Sequence, residues 1–335
     1  MNRTTPADTK LVICVRFPFT VWIAPPEFSD RIRARWPEMR VVHLPDYSNL
    51  DREIQDADIF VGFSVRVEQF SLARKLKWIH TTAAAVTQLM YPELRQSGIY
   101  VTNASGIHAV PMSEHILGML IALARRFPDC FRNQRQSRWA PQEWWDAPVR
   151  PRELHGQTLL LIGFGAVGRA VAQIVRPLGM RVWAVTRSGQ GDETLAEKIF
   201  PVSKLEEALP QADFVILAAP ETPETHQMMG AREFARMKSS AYFVNVARGS
   251  LIDEAALIGA LTRRAIAGAA LDVASEEPLP PESPLWKLDN LFITPHVSAV
   301  SDRLWERQGD LVMENLERWF SGRELVNRID LARGY

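Results

Sequence analysis

Three charged or titratable side chains stand just after short apolar stretches in the last third of the sequence. They are Arg248 in VNVARGS, Glu277 in LDVASEEP and His296 in ITPH. Because the carboxyl ends of strands in an open α/β sheet line the ligand crevice, we expect these side chains to converge. An arginine fork can pair with a carboxylate, and an imidazole can exchange a proton near neutral pH. The set is therefore suited to binding a carboxylate and transferring a proton.

Taken one at a time, these residues also have ordinary structural explanations. A single histidine is more often structural than catalytic, and Glu277 could be a loop carboxylate in front of Pro278. Arg248 could cap a helix that Asp253 and Glu254 open. Their joint occurrence after strands, together with the glycine turn described next, favours a functional site.

A glycine-rich turn connects an apolar strand to a helix near the middle of the chain. The strand TLLLI leads directly into GFGAVG, and the helical stretch Ala166–Arg176 opens within that turn. The first glycine permits a tight turn, the second lets the backbone approach a pyrophosphate, and the third allows close helix packing. The helix N-terminus adds N–H groups and a partial positive charge. Rather than a glycine turn without a ligand, we expect dinucleotide binding at Gly163, Phe164, Gly165, Ala166, Val167 and Gly168.

The end of the next strand bears on which nicotinamide cofactor is used. An acidic residue there would bind the ribose 2′-hydroxyl of NAD, but this strand ends in Thr186, Arg187 and Ser188. An arginine and two hydroxyls suit a 2′-phosphate through charge-assisted and neutral hydrogen bonds. We therefore expect a preference for NADP(H). If Arg187 is only a surface charge, NAD(H) is also possible.

Short β-branched runs alternate with helical stretches along the chain, which is typical of parallel βαβ units. In the first third the predicted strands are Leu11–Val15, Val41–Leu44, Ile59–Gly62, Trp78–His80 and Ile99–Val101. Six more follow at Leu159–Ile162, Val182–Thr186, Phe214–Ala218, Tyr242–Val246, Ile266–Leu271 and Leu291–Thr294. Since single cores rarely grow past about 250–300 residues, two domains are expected. The predicted fold class is α/β, with two doubly wound, Rossmann-like parallel sheets.

Two further segments complete the pattern. A helix that is apolar almost all round begins near Pro111, and such helices are usually buried between layers or domains. The segment Arg132–Arg150 is predicted to be irregular and carries Trp139, Trp144 and Trp145. Exposed aromatic loops often cover a partner surface or an active site, although tryptophans packed on their own domain are commoner.

Composition excludes several classes of partner. The sequence has 39 Lys and Arg against 39 Asp and Glu, so no excess of basic charge indicates a nucleic-acid or membrane-surface partner. The two cysteines form no CxxC pair, and the seven histidines show no ligand spacing, so no metal site is expected. The N-terminus does not resemble a signal peptide, and a cytoplasmic protein is expected.

After the glycine turn the chain carries VNVARG, LDVASEEP and TPH in this order. These motifs resemble those of the D-isomer-specific 2-hydroxyacid dehydrogenase family, and the glyoxylate/hydroxypyruvate reductase-like branch in particular. The resemblance covers the whole length. It implies a smaller, discontinuous substrate domain of residues 1–107 and 300–335, and a dinucleotide-binding domain of residues 108–299. The active site is then expected in the cleft between them.

The resemblance implies a role for each residue of this chain that matches a family motif. Arg248 would grip the substrate carboxylate and polarise the carbonyl, and His296 would donate a proton to the carbonyl oxygen as hydride arrives. Glu277 would bond the other imidazole nitrogen and orient the ring. The same resemblance places Ala219, Pro220, Thr225, Val246, Ala247 and Asp272 along the cofactor groove, with Asp272 near the nicotinamide amide.

On the substrate side the family pattern points to two loops. Ala84 and Ala85 stand in a turn whose backbone N–H groups commonly meet the substrate carboxylate, beside Arg248 and His296. Ser64–Arg66 occupy the other substrate-facing loop, where we expect Arg66 to face solvent rather than an anionic group. The family also implies a homodimer formed through the Pro111–Arg126 helix and the Arg132–Arg150 segment.

The sequence therefore predicts an NADP(H)-preferring 2-keto acid reductase, a D-2-hydroxyacid dehydrogenase, that acts on a small acid such as glyoxylate or hydroxypyruvate. An NAD-dependent 3-phosphoglycerate dehydrogenase is the runner-up, although such enzymes usually carry an acid at the end of the second strand. A cofactor-sensing, corepressor-like binding protein is the alternative of another class, since such relatives retain the catalytic trio.

Overall fold

The structure, a computed structural model, describes residues 5–147 and 150–331. The chain divides into two compact units: unit 1 comprises the chain up to Ile107 and from Val300 onward, and unit 2 is His108–Ala299. The outermost residues of the predicted substrate domain, 1–4 and 332–335, lie outside the described residues, as do residues 148 and 149 of the tryptophan-bearing segment.

Unit 1 contains a five-stranded parallel sheet in the order β2-β1-β3-β4-β5. Its strands are β1 (Lys10–Cys14), β2 (Arg40–His43), β3 (Ile59–Gly62), β4 (Trp78–Thr81) and β5 (Tyr100–Thr102). Every predicted strand of this unit is found within one residue of its predicted ends. The chain builds outward from β1 first to one side and then to the other, so the topological switch point lies between β1 and β3.

Unit 2 contains a seven-stranded parallel sheet in the order β12-β11-β10-β9-β6-β7-β8. Its strands are β6 (Thr158–Ile162), β7 (Arg181–Thr186), β8 (Lys198–Pro201), β9 (Phe214–Leu217), β10 (Tyr242–Asn245), β11 (Gly268–Leu271) and β12 (Leu291–Ile293). This is the strand order of a dinucleotide-binding fold extended by one strand, and its switch point lies between β6 and β9. Both faces of β6 are buried, because Leu159 and Leu161 join one apolar layer while Leu160 and Ile162 join the other.

The strand β8 was not predicted from the sequence, which indicated six strands in this unit rather than seven. Its segment, KIFP, has only two apolar residues and begins with an exposed lysine. It pairs with β7 alone, at the edge of the sheet. A short edge strand needs no continuous apolar run, so the signal for it was too weak.

Twelve α-helices accompany the strands within the described residues. They are α1 (Pro26–Arg35), α2 (Leu50–Glu53), α3 (Val67–Leu72), α4 (Pro92–Arg95), α5 (Ala109–Ala124), α6 (Phe127–Arg135), α7 (Gln142–Trp145), α8 (Ala166–Val175), α9 (Leu205–Ala208), α10 (Ala231–Arg236), α11 (Glu254–Thr262) and α12 (Leu304–Ser321). Helix α5 buries Ile116, Met119 and Leu120 in the apolar layer that covers one face of the unit 2 sheet. The last helix ends at Gly322, which adopts the left-handed conformation at φ 71°. No helix of the described residues is long and apolar enough to cross a membrane.

The prediction of an irregular Arg132–Arg150 segment was wrong in part, because it overlaps α6 and contains α7. Glu143 at the start of α7 holds the two helices together. Its carboxylate accepts from Asn133 at 2.7 Å and pairs with Arg138, and its backbone carbonyl accepts from Arg126 at 3.2 Å. The hydrogen bond from Asn133, with the nearby arginines, holds the pKa of Glu143 below its usual range. Side-chain bonds of this kind leave no apolar periodicity in the sequence.

Candidate active site

The glycine turn after β6 leaves one of its three glycines open to a ligand. Gly163 has φ 99°, and a Cβ there would lie 2.5 Å from the carbonyl oxygen of Ala218. A Cβ on Gly168 would lie 2.4 Å from the carbonyl oxygen of Gly163. At Gly165, which precedes the first turn of α8, a Cβ would meet no atom within 4 Å. The protein's own packing therefore requires the outer two glycines, and the middle one leaves room for a pyrophosphate at the helix N-terminus.

The side chains of Phe164, Val246 and Ala247 do not line an open groove. They are 6%, 2% and 9% exposed, respectively. Phe164 packs in the apolar layer beside α8, and Val246 belongs to the same layer. Any contact of these residues with a cofactor must therefore use the main chain, whereas Ala166 and Val167 are only partly buried.

The loop after β7 is shaped by the hydroxyl of Thr186. That hydroxyl donates to the carbonyl of Gln190 at 3.0 Å and accepts from the N–H of Gly189 at 3.0 Å. Arg187 and Ser188 are exposed. The Thr186 hydroxyl is thus committed to the turn, and the Ser188 hydroxyl accepts from the N–H of Gln190 at 3.4 Å.

The loop after β9 carries the predicted groove residues Ala219, Pro220 and Thr225. The Thr225 hydroxyl donates to the carbonyl of Pro220 at 2.8 Å and accepts from the N–H of Thr222 at 2.8 Å. It therefore closes the turn. In the same loop the Thr222 hydroxyl holds the pKa of the exposed Glu224 below its usual range, with a smaller contribution from the charge of Arg187. The charge of Arg187, in the loop after β7, thus reaches Glu224 in the loop after β9.

Arg248 follows β10, whose last residue shapes the turn that presents it. The Asn245 amide oxygen accepts from the N–H of Ala247 at 3.0 Å, and its amide nitrogen donates to the carbonyl of Arg248 at 2.9 Å. The Arg248 side chain is exposed and donates one bond to the carbonyl of Ala247 at 2.7 Å, so most of its fork is available. A Cβ on Gly249 would overlap the carbonyl of Ala274, which shows how closely this turn packs on the loop after β11.

Glu277 and His296 form a direct pair. Oε2 of Glu277 lies 2.6 Å from Nδ1 of His296, and Oε1 accepts from the N–H of Ala274 at 3.0 Å. The pair is partly exposed, with side-chain exposures of 37% and 46%. Helix capping, the alternative considered for Arg248, is performed instead by Asp253, whose carboxylate accepts from the N–H of Ala256.

Asp272 organises the loop that carries His296. Its fully buried carboxylate accepts from the Thr294 hydroxyl at 2.5 Å and from the N–H groups of Val297 and Ser298, each at 2.9 Å. Its backbone carbonyl accepts from the N–H of His296 at 2.7 Å. His296 itself has φ 53°, a conformation that a non-glycine residue keeps only where its surroundings hold it. The contact of Asp272 with a nicotinamide amide stays a prediction.

A second histidine lies behind this loop. Nε2 of His115, in α5, lies 3.1 Å from the Thr294 hydroxyl and 3.8 Å from Oδ1 of Asp272. Because the Thr294 hydroxyl gives its only proton to Asp272, it accepts from His115. Sequence reasoning identified neither His115 nor Thr294 as site residues. Thr294 adjoins His296 in the TPH motif and could have been found, but no spacing connects His115 with it.

In unit 1 the predicted substrate turn is held by its carbonyl groups. The carbonyl of Ala84 accepts from Asn103 at 2.6 Å, and that of Ala85 accepts from Gln88 at 3.2 Å. Within the described chain, the N–H groups of Ala84 and Ala85 meet no acceptor. Exposed N–H groups of this kind can receive a carboxylate. Among residues 5–147 and 150–331, no three or more His, Cys, Asp or Glu side chains form a group that could hold a metal ion.

Comparison with known proteins gives consistent matches. Residues 117–298 match the family model described as D-isomer specific 2-hydroxyacid dehydrogenase, NAD binding domain. A glyoxylate reductase of Thermococcus gammatolerans is 35% identical over 303 residues, 88% of this chain and 89% of its own length. A D-3-phosphoglycerate dehydrogenase of Methanocaldococcus jannaschii is 32% identical over 282 residues, 83% of this chain and 53% of its own length. The solved structure of a D-isomer specific 2-hydroxyacid dehydrogenase of Xanthobacter autotrophicus, in complex with NADPH and MES, aligns with a TM-score of 0.81 at 28% identity, covering 98% of this chain and 100% of that one.

Proposed function

The chain belongs to the D-isomer specific 2-hydroxyacid dehydrogenases, a family of NAD(P)-dependent oxidoreductases, and we propose that it is an NADP(H)-preferring reductase of a small 2-keto acid. Glyoxylate and hydroxypyruvate are the substrates that we would test first. The observation that carries the proposal is the 2.6 Å contact between His296 and Glu277, on a loop that packs close to the turn of Arg248. An acid–base pair beside an exposed guanidinium suits the reduction of a carbonyl next to a carboxylate.

Each of these side chains has a distinct part in the proposed reaction. The bound nicotinamide supplies the hydride. Arg248 pairs with the substrate carboxylate through its planar fork. Glu277 accepts a hydrogen bond from the N–H at Nδ1 of His296, so that Nε2 is the nitrogen that gives its proton to the carbonyl oxygen. In the reverse direction Nε2 takes the proton back from the hydroxyl.

The preference for NADP(H) is supported by the loop after β7. Thr186, Arg187 and Ser188 stand where NAD would need a carboxylate, and Arg187 and Ser188 are exposed. The Xanthobacter relative of known structure was solved with NADPH. NAD(H) remains the alternative cofactor, because Arg187 also shares its surroundings with the acidic Glu224.

The two units are proposed to divide the work. The NAD binding domain model matches residues 117–298, which supports a dinucleotide-binding role for residues 108–299. Residues 1–107 and 300–335 are then the substrate domain, and this role is supported by the N–H groups of the exposed Ala84 and Ala85, which meet no acceptor within the described residues. A cytoplasmic location is part of the same proposal, and cell fractionation would test it.

A 3-phosphoglycerate dehydrogenase activity is the second candidate, because a protein of that name is among the relatives. It would require a 3-carbon acid that carries a phosphate, and it would usually use NAD. The absence of a carboxylate at Thr186–Ser188 disfavours it. A cofactor-sensing binding protein would bind the dinucleotide without turning over any acid.

Oxidation of NADPH and of NADH should be followed with glyoxylate, hydroxypyruvate, pyruvate, phenylpyruvate and 3-phosphohydroxypyruvate. We expect a higher kcat/KM with NADPH than with NADH, and a loss of about 10²- to 10⁴-fold in His296→Ala. The exposed His226→Ala is the matched control. Preference for NADH with 3-phosphohydroxypyruvate would favour the second candidate, and cofactor binding without turnover would favour the sensing role.

The preference for NADPH over NADH is tested with a substitution of Arg187. Arg187→Gln should raise the KM for NADPH by about tenfold and leave that for NADH almost unchanged, since only the 2′-phosphate would lose a charged partner. Arg181→Gln, at the exposed opposite end of β7, is the control. Equal changes with both cofactors would remove the preference from the proposal.

We also propose that the protein is a homodimer. Near α6 and α7, Trp139 is 94% exposed, Trp145 76% and Phe131 54%. Trp139 and Trp145 line the same surface cavity, and exposed aromatic groups that lie together are typical of a protein interface. Sizing with light scattering should give twice the mass of one chain, and the double variant Trp139→Ala with Trp145→Ala should give a single chain. A wild type that elutes as one chain would reject the dimer.

A further inference from the structure

A cavity in unit 1 opens at the carboxyl ends of β1 and β3. Its volume is about 430 Å³, and its walls come from the loops that follow β1, β2 and β3. We call it the switch-point cavity, because the strand order β2-β1-β3-β4-β5 has its switch point between β1 and β3. In open α/β sheets this is the place where ligands bind.

The cavity collects positive charge and hydrogen-bond donors. Arg16 and Arg66 line it, and neither lies within salt-bridge distance of a carboxylate of the described residues, although the charge of Arg16 contributes to the lowered pKa of the exposed Asp46. Ser64 adds a hydroxyl to the wall. The one acidic side chain of the lining, Asp51, already accepts a hydrogen bond from Gln69 at 3.2 Å. Two cations against one carboxylate among the lining side chains favour an anionic ligand.

One wall of the cavity is apolar. The rings of Phe17 and Phe63 lie 5.3 Å apart between centroids, and both line the cavity. A ligand held here would therefore place methylene groups against the aromatic wall and its charged end between the arginines. Free inorganic anions would use only part of such a surface.

The switch-point cavity adjoins the turn predicted to hold the substrate carboxylate. The carbonyl of Phe63 accepts from the Thr81 hydroxyl at 2.8 Å and from Gln88 at 3.2 Å. The same Gln88 amide donates to the carbonyl of Ala85 at 3.2 Å. The Gln88 side chain thus joins the Ala84–Ala85 turn, through the carbonyl of Ala85, to the carbonyl of Phe63 at the wall of the cavity. A short organic acid bound at that turn can extend along Phe63 towards the guanidinium groups.

We propose that the switch-point cavity binds a second anionic group at the far end of the substrate, so that the preferred substrates are 2-keto acids with a distal carboxylate or phosphate. This inference rests on the proposed function for the carbonyl chemistry, but the anion preference is a property of unit 1. It revises the expectation that Arg66 only faces solvent. Arg16, which sequence reasoning did not consider, is the second specificity-determining residue.

The test compares acids that differ only at the far end. The pairs are oxaloacetate with 2-oxobutyrate, 2-oxoglutarate with 2-oxopentanoate, and 3-phosphohydroxypyruvate with hydroxypyruvate. In the full-length wild type with NADPH, we expect kcat/KM to be at least about tenfold higher for the acid with a charged far end than for the acid with an uncharged far end. The first two pairs report on a carboxylate and the third on a phosphate.

The arginines are tested with Arg16→Gln, Arg66→Gln and the double variant. For the acid with a charged far end, we expect the double variant to lose about tenfold or more in kcat/KM, because its KM rises. The kcat/KM for the acid with an uncharged far end should stay unchanged. Arg74→Gln is the control, because that arginine is exposed in the same unit and does not line the cavity. Equal rates within all pairs, or equal losses on both members, would overturn the inference.

A binding measurement distinguishes a failure of this inference from a failure of the proposed function. Calorimetric titration of 2-oxoglutarate and 2-oxopentanoate into the wild type and the double variant needs no turnover. Tighter binding of 2-oxoglutarate that the double variant loses would support the cavity even if no acid were reduced, in which case only the proposed reductase function would fail. Equal binding of the two acids, or no effect of the double variant, would overturn the cavity assignment.

Discussion

Oε2 of Glu277 lies 2.6 Å from Nδ1 of His296, while Oε1 of the same carboxylate accepts the N–H of Ala274 at 3.0 Å. One carboxylate thus ties the imidazole of the β12 loop to the backbone of the β11 loop. The ring is oriented by a residue that comes 19 positions earlier in the chain. Nε2 of His296 is consequently the nitrogen that can meet a substrate.

Glu277→Gln should lower kcat far more than it changes the KM for the 2-keto acid. The amide keeps the shape of the side chain but removes the charged acceptor of the Nδ1 hydrogen bond, and it can also impose the wrong tautomer. We expect kcat to fall by about 10²- to 10⁴-fold, as for other carboxylate–histidine pairs. Steady-state kinetics beside Glu276→Gln, an exposed neighbour, would check this. An unchanged kcat would mean that the contact does not serve the reaction.

Thr294→Val should weaken the loop that holds His296. The change removes the hydroxyl that donates to the buried Asp272 carboxylate and accepts from His115. Leaving these partners unsatisfied should cost about 1–3 kcal/mol of stability, and kcat should fall by about tenfold or more because the imidazole loses its fixed position. Thr294→Ser keeps the hydroxyl and should restore both quantities. If the serine and valine variants had the same kcat, the hydroxyl would have no positioning role.

Two alanine substitutions in the glycine turn should affect different properties, one the affinity for NADPH and the other the stability of the fold. Gly165→Ala adds a Cβ in open space, so the melting temperature should stay near that of the wild type while the Kd for NADPH rises by about tenfold or more. Gly163→Ala adds a Cβ at φ 99° and 2.5 Å from a carbonyl oxygen, so it should cost about 1–3 kcal/mol or more of stability. Thermal unfolding and fluorescence titration with NADPH separate the two. A Gly165→Ala protein with normal NADPH affinity would contradict the assigned pyrophosphate site.

The buried His80 should make the stability of the protein depend on pH. Burial lowers its pKa to about 4, and its Nδ1 lies 2.9 Å from the Thr102 hydroxyl. The unfolded chain takes up this proton near pH ~6.5, and the folded chain only near pH 4. The stabilisation is therefore complete above pH ~6.5 and decreases by up to about 3 kcal/mol as the pH falls towards 4.

His80→Asn should reduce the slope of unfolding free energy against pH between about 4 and 6.5. Urea unfolding at several pH values would measure that slope, and His226→Asn, an exposed histidine of the other unit, is the control. The comparison uses the slope because the substitution also changes stability at every pH. A slope equal to that of the wild type would show that His80 takes up its proton equally in both states.

Strand prediction succeeded where burial on both faces produces a continuous apolar run. The strands β3 and β6 are examples, since every residue of each is buried. The edge strand β8 and the helices α6 and α7 escaped prediction for the opposite reason. The strand is held by pairing at the edge of the sheet, and the helices are held together by polar bonds to Glu143. Neither kind of bond requires a continuous apolar run in the sequence.

The sequence by itself determined the chemistry and the order of the candidate site: a glycine turn, then Arg248, Glu277 and His296, each after a strand. These signals are local, because a parallel sheet brings the carboxyl ends of its strands to one edge. Only the tertiary structure decided which partners support them. The contact of His115 with Thr294 spans 179 positions, and the arginines of the switch-point cavity come from loops after two different strands. Such contacts depend on strand order and on the packing of side chains between distant segments, which no spacing along the chain encodes.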